Sequence, residues 1–327
     1  MQRQPHEPRV PRRRRWAGLL RVAGVTLLTG VVLVLYLARV QERALAERKG
    51  TLCSVAAEPA VESDGHVEQV VALRSSTGLG VRLALKRPLE EPASAPPLRP
   101  LIVLLGGQQT GLDALRILGA TRGAIVAVVA YPYDGPQRPG ALDFVLAIPR
   151  MRQAILDTPP ALRLALDWLI ELPGVDHSRV ELCGVSLGGP FACVAGALEP
   201  RFTRVWSIHG AADPLALLEH SLRSRVGWAP LRQLVALALY VLADGPTLAP
   251  ERYVGRIAPR PFVMLNAEDD ERLPRAAVLK LYEAAREPRE ITWLAGRHIE
   301  PGRREIVQQL VDIVLTRVGG ARPAEQR

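Results

Sequence analysis

Ser186 stands in the run Gly184-Val185-Ser186-Leu187-Gly188, behind the apolar stretch Val180-Glu181-Leu182-Cys183 and ahead of a helix-like stretch opening with Gly189 and Pro190. The pentapeptide G-x-S-x-G alone is common by chance. Between a strand and a helix it has a mechanical meaning. The sharp turn forces the serine into strained backbone geometry and leaves its hydroxyl exposed at the edge of a sheet. The positions two before and two after must lack a side chain for the turn to close, and Gly184 and Gly188 fit. Gly189, Ala192, Ala195 and Gly196 keep the following helix small-faced, so it can pack close to the sheet. Its positive N-terminal end points to where an oxyanion would form. A hydroxyl so placed is suited to nucleophilic attack once a neighbouring base takes its proton. The plainer alternative is an ordinary glycine-rich strand-to-helix turn.

The elements that must hold this turn are legible as a rhythm. Short apolar runs recur at residues 101–105, 125–130, 180–183, 205–208, 262–265 and 291–294. Helical patterns lie between them, notably 160–172, with Leu162, Ala165, Leu166 and Leu169 on one face, and 275–285. Continuous apolar strands alternating with helices imply an α/β domain with a mostly parallel sheet covered on both faces. Ahead of them, runs at 67–73 and 81–86 joined by Ser75-Ser76-Thr77-Gly78 read as an antiparallel hairpin, giving eight strands in all. Residues 87–100 hold five prolines and read as a loop. Residues 214–261 break the rhythm with helical but no strand character, and 231–243 within them are almost wholly apolar. That stretch fits either a buried core helix or a cap presenting an apolar wall over the active site.

With the strand–G-x-S-x-G–helix context in place, residues 66–320 resemble the α/β-hydrolase fold. The resemblance implies a catalytic triad in chain order serine, acid, histidine. His298, in Trp293-Leu294-Ala295-Gly296-Arg297-His298, follows the last strand, where that family places its base. His209, at the end of the 205–208 run, is a second candidate base and could line the pocket. Family members often carry D-x-x-V/L-P after the penultimate strand, and Asp270-Glu271-Arg272-Leu273-Pro274 matches it. Asp270 is therefore the implied acid, with Asp269 and Asp213 as alternatives and the other acids nearby expected to be solvated charge. The oxyanion hole implied by the resemblance uses two backbone N–H groups, of Leu187 and of Gln108. Gly106-Gly107 stands where relatives carry His-Gly, a departure that touches the Gln108 assignment. A phosphate-binding loop at that position would need a G-K-[ST] or G-x-G-x-x-G continuation, and none follows.

Of the chain's 42 Lys and Arg and 33 Asp and Glu, residues 1–50 hold 11 and 3, so the net charge of +9 belongs almost entirely to the N-terminus. A nucleic-acid-binding domain carries its basic footprint on the fold itself, so no nucleic-acid partner is expected. Three cysteines, Cys53, Cys183 and Cys193, without a C-x-x-C pair suggest neither a disulfide framework nor a metal site. Arg12 to Arg15, then Trp16, precede an uncharged apolar run at residues 22–38. At about 1.5 Å per residue, its 17 residues reach the short end of what spans a bilayer. Seven arginines upstream against four Lys and Arg at 39–50 favour an N-terminus inside and the rest outside the cytoplasm. A cleaved signal peptide or a core helix are the competing readings.

The expected organisation is a basic cytoplasmic tail (1–15), a transmembrane signal-anchor helix (16–40), a linker (41–65), a catalytic domain (66–320) with a cap at about 214–260, and a short tail (321–327). The expected activity is hydrolysis of small-molecule or lipid carboxylic esters by a membrane-anchored extracytoplasmic serine hydrolase needing no cofactor or metal. A peptidase of the same fold, or a non-catalytic binding protein built on it, are the alternatives.

Overall fold

The computed structural model describes residue 30 and residues 43–89, 97–107, 110–135 and 140–319. The expected tail and membrane segment, apart from Gly30, lie outside the described residues, as does Gln108. Among the described residues no helix is long and apolar enough to cross a membrane.

Ten described strands form one sheet: β1 (Leu52–Ala57), β2 (Val61–Ser63), β3 (His66–Ser75), β4 (Gly80–Pro88), β5 (Arg99–Leu105), β6 (Ile125–Val129), β7 (Val175–Val185), β8 (Arg204–Ile208), β9 (Phe262–Ala267) and β10 (Arg289–Leu294). Their order is β1-β3-β4-β6-β5-β7-β8-β9-β10, with β2 beside β3. Every expected apolar run is a strand, and β5 to β10 pair in parallel. The count of eight needs correcting. The two extra strands fall in the stretch expected to be a linker, where exposed antiparallel pairing leaves no apolar period to read. That stretch is fastened to the domain: Leu45 is fully buried, and Arg48 and Lys49 pair with Asp157 at 2.5 Å and Asp167 at 2.6 Å.

Seven helices are described in full: α1 (Ala114–Ile117), α2 (Ala141–Leu169), α3 (Gly188–Leu198), α4 (Pro214–Ser221), α5 (Ala229–Leu242), α6 (Arg275–Ala284) and α7 (Arg304–Gly319). Because successive side chains alternate across a strand, each central strand feeds two cores. Leu101, Val103 and Leu105 of β5 meet α2, α3 and α6 on one face, while Ile102 and Leu104 meet α1 and α7 on the other. Helix α2 begins at Ala141, well ahead of the expected start, and keeps Pro149, Pro159 and Pro160 inside it. Local proline preference loses there to burial of Leu156, Leu162, Leu166 and Leu169.

The insertion between β8 and β9 is helical as expected, but its apolar helix is not a core helix. Only Ala236 of α5 is buried, while Trp228 is 68%, Leu234 64% and Leu237 47% exposed.

Helix α3 approaches the sheet at glycine distance. A Cβ on Gly188 would lie 2.3 Å from the carbonyl oxygen of Leu105, and one on Gly184 would lie 2.4 Å from that of Gly188. Backbone cannot move aside as a side chain can. Gly188→Ala is therefore expected to destabilise the protein by about 2–3 kcal/mol in urea unfolding. Gly227→Ala, which faces open space, should change it by less than about 0.5 kcal/mol.

Candidate active site

Ser186 directly follows β7 and sits at φ +53°, a left-handed backbone that few residues without a special role adopt. Its N–H donates to Ile208 O at 2.8 Å and its carbonyl accepts from Gly189 N–H at 3.0 Å, so the turn is pinned from both sides. The hydroxyl stands 2.8 Å from Nε2 of His298, although 112 residues separate them in the chain. His298 lies on the loop after β10, where Gly296 at φ +118° reverses the chain, and the imidazole is 1% exposed. Its Nδ1 is 2.8 Å from Oδ2 of Asp270. With the Nδ1 proton donated to that carboxylate, Nε2 carries the lone pair and accepts the serine proton. Serine, imidazole and carboxylate thus form one unbroken hydrogen-bonded chain in the order expected.

Asp270 is held from all sides. Oδ1 accepts the backbone N–H groups of Arg272 and Leu273, both at 2.9 Å, while Oδ2 faces His298 Nδ1 at 2.8 Å and, farther off, His209 Nδ1 at 3.4 Å. Burial alone would raise its pKa. The two imidazoles beside it and the Arg272 N–H outweigh that and hold the carboxyl well below the usual range. The alternatives do other things. Asp269 is exposed and donates its N–H to Gly296 O. Asp213 caps α4 through Ala216 N–H and pairs with Lys280 at 2.6 Å.

Two further residues belong to the site. Glu271, expected to be solvated charge, is exposed but also makes specific contacts. Its Oε2 accepts the backbone N–H of His298 at 2.9 Å and its Oε1 pairs with Arg303 at 2.7 Å. Burial works against its ionisation, but Arg303 and the His298 N–H bring its pKa down to about 2. His209 does not reach the serine as a base. It is 1% exposed, packs edge-on to His298 with ring centres 5.2 Å apart, and its Nδ1 accepts Ile299 N–H at 3.2 Å. Burial, aided by neighbouring His298, lowers its pKa and keeps it neutral. Its position at the end of β8 was readable from the sequence. Glu271 left no signal beyond adjacency to Asp270.

The remaining parts of the mouth are backbone. Leu187 follows the serine and starts α3, whose positive end faces the hydroxyl. Gly106 and Gly107 border Ser186 from the end of β5; Tyr131 Oη donates to Gly106 O at 2.7 Å and Thr110 Oγ1 to Gly107 O at 2.9 Å. Burial raises the Tyr131 pKa, so it remains a donor. Next to Ser186 opens a cavity of about 480 Å³, bordered by Gly107, Leu187, Arg272 and Glu300. No residue of the 214–260 insertion lines it. The insertion instead touches the acid loop, where His220 Nε2 meets Glu271 O at 3.3 Å. Cys183 and Cys193 are buried free thiols whose pKa values burial raises.

No family model matches the sequence. No curated protein matches it either. Solved structures do match its shape. Acetyl xylan esterase 1 from Thermoanaerobacterium sp. JW/SL YS485 superposes with a TM-score of 0.58 at 17% identity, over 84% of this chain and 92% of that one. An acetyl xylan esterase from Paenibacillus sp. R4 gives 0.57 at 18% identity, over 83% and 92%. The α/β hydrolase GrgF from Penicillium sp. sh18 gives 0.51 at 20%, over 76% and 98%. The chain has the α/β-hydrolase fold.

Linkage fixes the acid behaviour. Glu271 and Asp270 bind protons more weakly folded than unfolded, so their stabilisation is complete above the ordinary carboxylate range and is lost as pH falls through it. His209 also binds its proton less readily when folded. It therefore removes stability as pH falls below about 6.5, where an unfolded imidazole titrates. Urea midpoints should decline gently from about pH 6.5 and steeply below about 4.5. His209→Gln should flatten the first limb and Glu271→Gln the second; unchanged limbs would contradict these contacts.

Proposed function

We propose that the protein is a serine hydrolase cleaving carboxylic esters through an acyl-enzyme. The observation that carries this is the hydrogen-bonded series Ser186–His298–Asp270, at 2.8 Å for each link. Ser186 Oγ attacks the acyl carbonyl carbon while His298 Nε2 takes its proton, and Asp270 steadies the imidazolium. The oxyanion forms against the Leu187 N–H and the positive end of α3. Gln108 N–H is the second donor in this reading. Collapse of the intermediate expels the alcohol, which takes the proton from His298. Water then repeats the sequence on the acyl-enzyme, releasing the acid and restoring the serine. The similar structures include two acetyl xylan esterases, which supports esters as the substrate class.

The chain is also proposed to be tethered to a membrane by residues 22–38, with the catalytic domain on the extracytoplasmic side. The arginine cluster before that apolar run supports the orientation. The exposed apolar residues of α5, Leu231 and Leu234 among them, and Trp228 just before it support a domain lying against a lipid surface.

A fluorophosphonate probe should label the wild type and fail on Ser186→Ala. Ester turnover should fall about 10⁶-fold in Ser186→Ala and about 10⁴-fold in Asp270→Asn. A well-folded wild type that neither labels nor turns over esters would overturn the enzymatic reading. Full-length chain should float with phosphatidylcholine vesicles in a density gradient, whereas a chain starting at residue 43 should float markedly less. Equal flotation would remove residues 22–38 as the tether.

A further inference from the structure

The cavity beside Ser186 does not lie on top of the sheet under the helical insertion. It runs down from the serine into the layer between the sheet and helices α1 and α7. Ile102 and Cys183 wall it from the strands, Ala114 and Ile117 from α1, and Leu310 and Val314 from α7. All of these side chains except Ile117 belong to the second core, on the sheet face away from α2 and α3. Protein interiors are packed to crystal density and hold few voids larger than a water molecule. An opening of about 480 Å³ in such a layer, with its mouth at a candidate nucleophile, is built space.

Its chemistry is divided by depth. Polar groups stand at the mouth, namely Ser186, Thr110 and the Arg272–Glu300 pair, whereas the deep walls are hydrocarbon and one neutral thiol. Sites that take an extended apolar group have this pattern of few polar groups at one end. The orientation follows from which residues border the space. Gly107 and Leu187, on the oxyanion side of the serine, do so, and the imidazole of His298 does not. A leaving alcohol must sit beside His298 Nε2 to receive its proton. The part of the substrate inside the cavity is therefore the part that stays on the serine.

We infer that the cavity is an acyl-chain pocket, and that the enzyme prefers esters of medium-length saturated fatty acids over acetyl esters. The inference rests on the ester-hydrolase reading above and names its acyl group. An engineered cavity of about 150 Å³ accommodates a benzene ring. Space some three times larger takes an acyl chain of about eight to ten carbons and leaves room at the mouth. The alcohol side lies toward His298, which does not border the cavity, and is unconstrained by its apolar walls.

The test is a series of p-nitrophenyl esters from acetyl to hexadecanoyl on the full-length protein, run beside fluorophosphonate labelling of Ser186. The expected kcat/KM rises about threefold per methylene from acetyl to about octanoyl, in line with burial of each methylene, and falls for the longest chains. Filling the pocket with Ala114→Leu or Ile117→Trp should cut the octanoyl-to-acetyl ratio at least tenfold while the serine still labels. Ile117 is half-buried, so its variant tolerates the added bulk where Ala114→Leu fails to fold. Decanoate should compete with octanoyl ester for wild type and at least tenfold less well for Ile117→Trp. A labelled wild type with a flat or acetyl-favouring profile, or a ratio unmoved by the filling variants, would overturn the pocket and leave the esterase reading standing. Absence of both labelling and turnover would instead sink the reading beneath it.

Discussion

A reversed backbone at Ser186 is the constraint from which the site follows. A left-handed serine costs about 1–3 kcal/mol and persists only where the surroundings over-determine it. Here they do so through space that excludes side chains. Gly184 and Gly188 let the turn close against the end of β5, and Gly196 lets α3 lie on Val205 of β8. The same closeness aims the first turn of α3 at the hydroxyl. Backbone strain and anion-attracting polarity are thus two consequences of one packing distance. His209 and Asp213 also take positive φ, at +49° and +59°, in the segment that leaves the neighbouring strand β8. Three of the six described non-glycine residues with positive φ thus lie at or just after the ends of β7 and β8.

Around that turn the charges are arranged to hold one imidazole in a fixed orientation. Asp270 spends one oxygen on backbone amides, so its other oxygen has a fixed direction toward His298 Nδ1. Glu271, the next residue, holds His298 by its own backbone and is anchored in turn by Arg303. One acid orients the ring and its neighbour orients the loop carrying it. His209 packs edge-on against the other side of the His298 ring, with its own Nδ1 3.4 Å from Asp270 Oδ2.

How much of this was legible follows from what leaves a periodic trace. Ser186, Asp270 and His298 each sit just past an apolar strand, and each occupies a motif position of the fold that residues 66–320 resemble, so strand order brings them together. Glu271 acts through the backbone of a residue 27 positions away, a contact that only the paired ends of β9 and β10 create. The first strands were missed because β1 is almost entirely exposed and carries no alternation of burial. Proline at 149, 159 and 160 hid the front of α2, where tertiary burial overrides local preference. Helix α5 misled in the opposite way. Composition marks an apolar helix as buried, yet nothing in its period says whether protein will cover it.

The position of α5 and that of the cavity bear on each other. A substrate site roofed by the insertion would have put its apolar surface against Ser186; instead the apolar space lies beneath the serine, and the insertion's apolar surface faces outward. Residues 299–302 then become the pivotal stretch, because Ile299, Glu300, Pro301 and Gly302 wall the cavity while continuing directly from His298. Ile299 also bonds His209, and Glu300 pairs with both Arg272 and Arg303. A chain filling the cavity presses on the same loop that holds the base. In the proposed reaction, binding and proton transfer therefore share a structural element. An acyl group long enough to reach α7 packs the loop from below, whereas an acetyl group leaves that support unused.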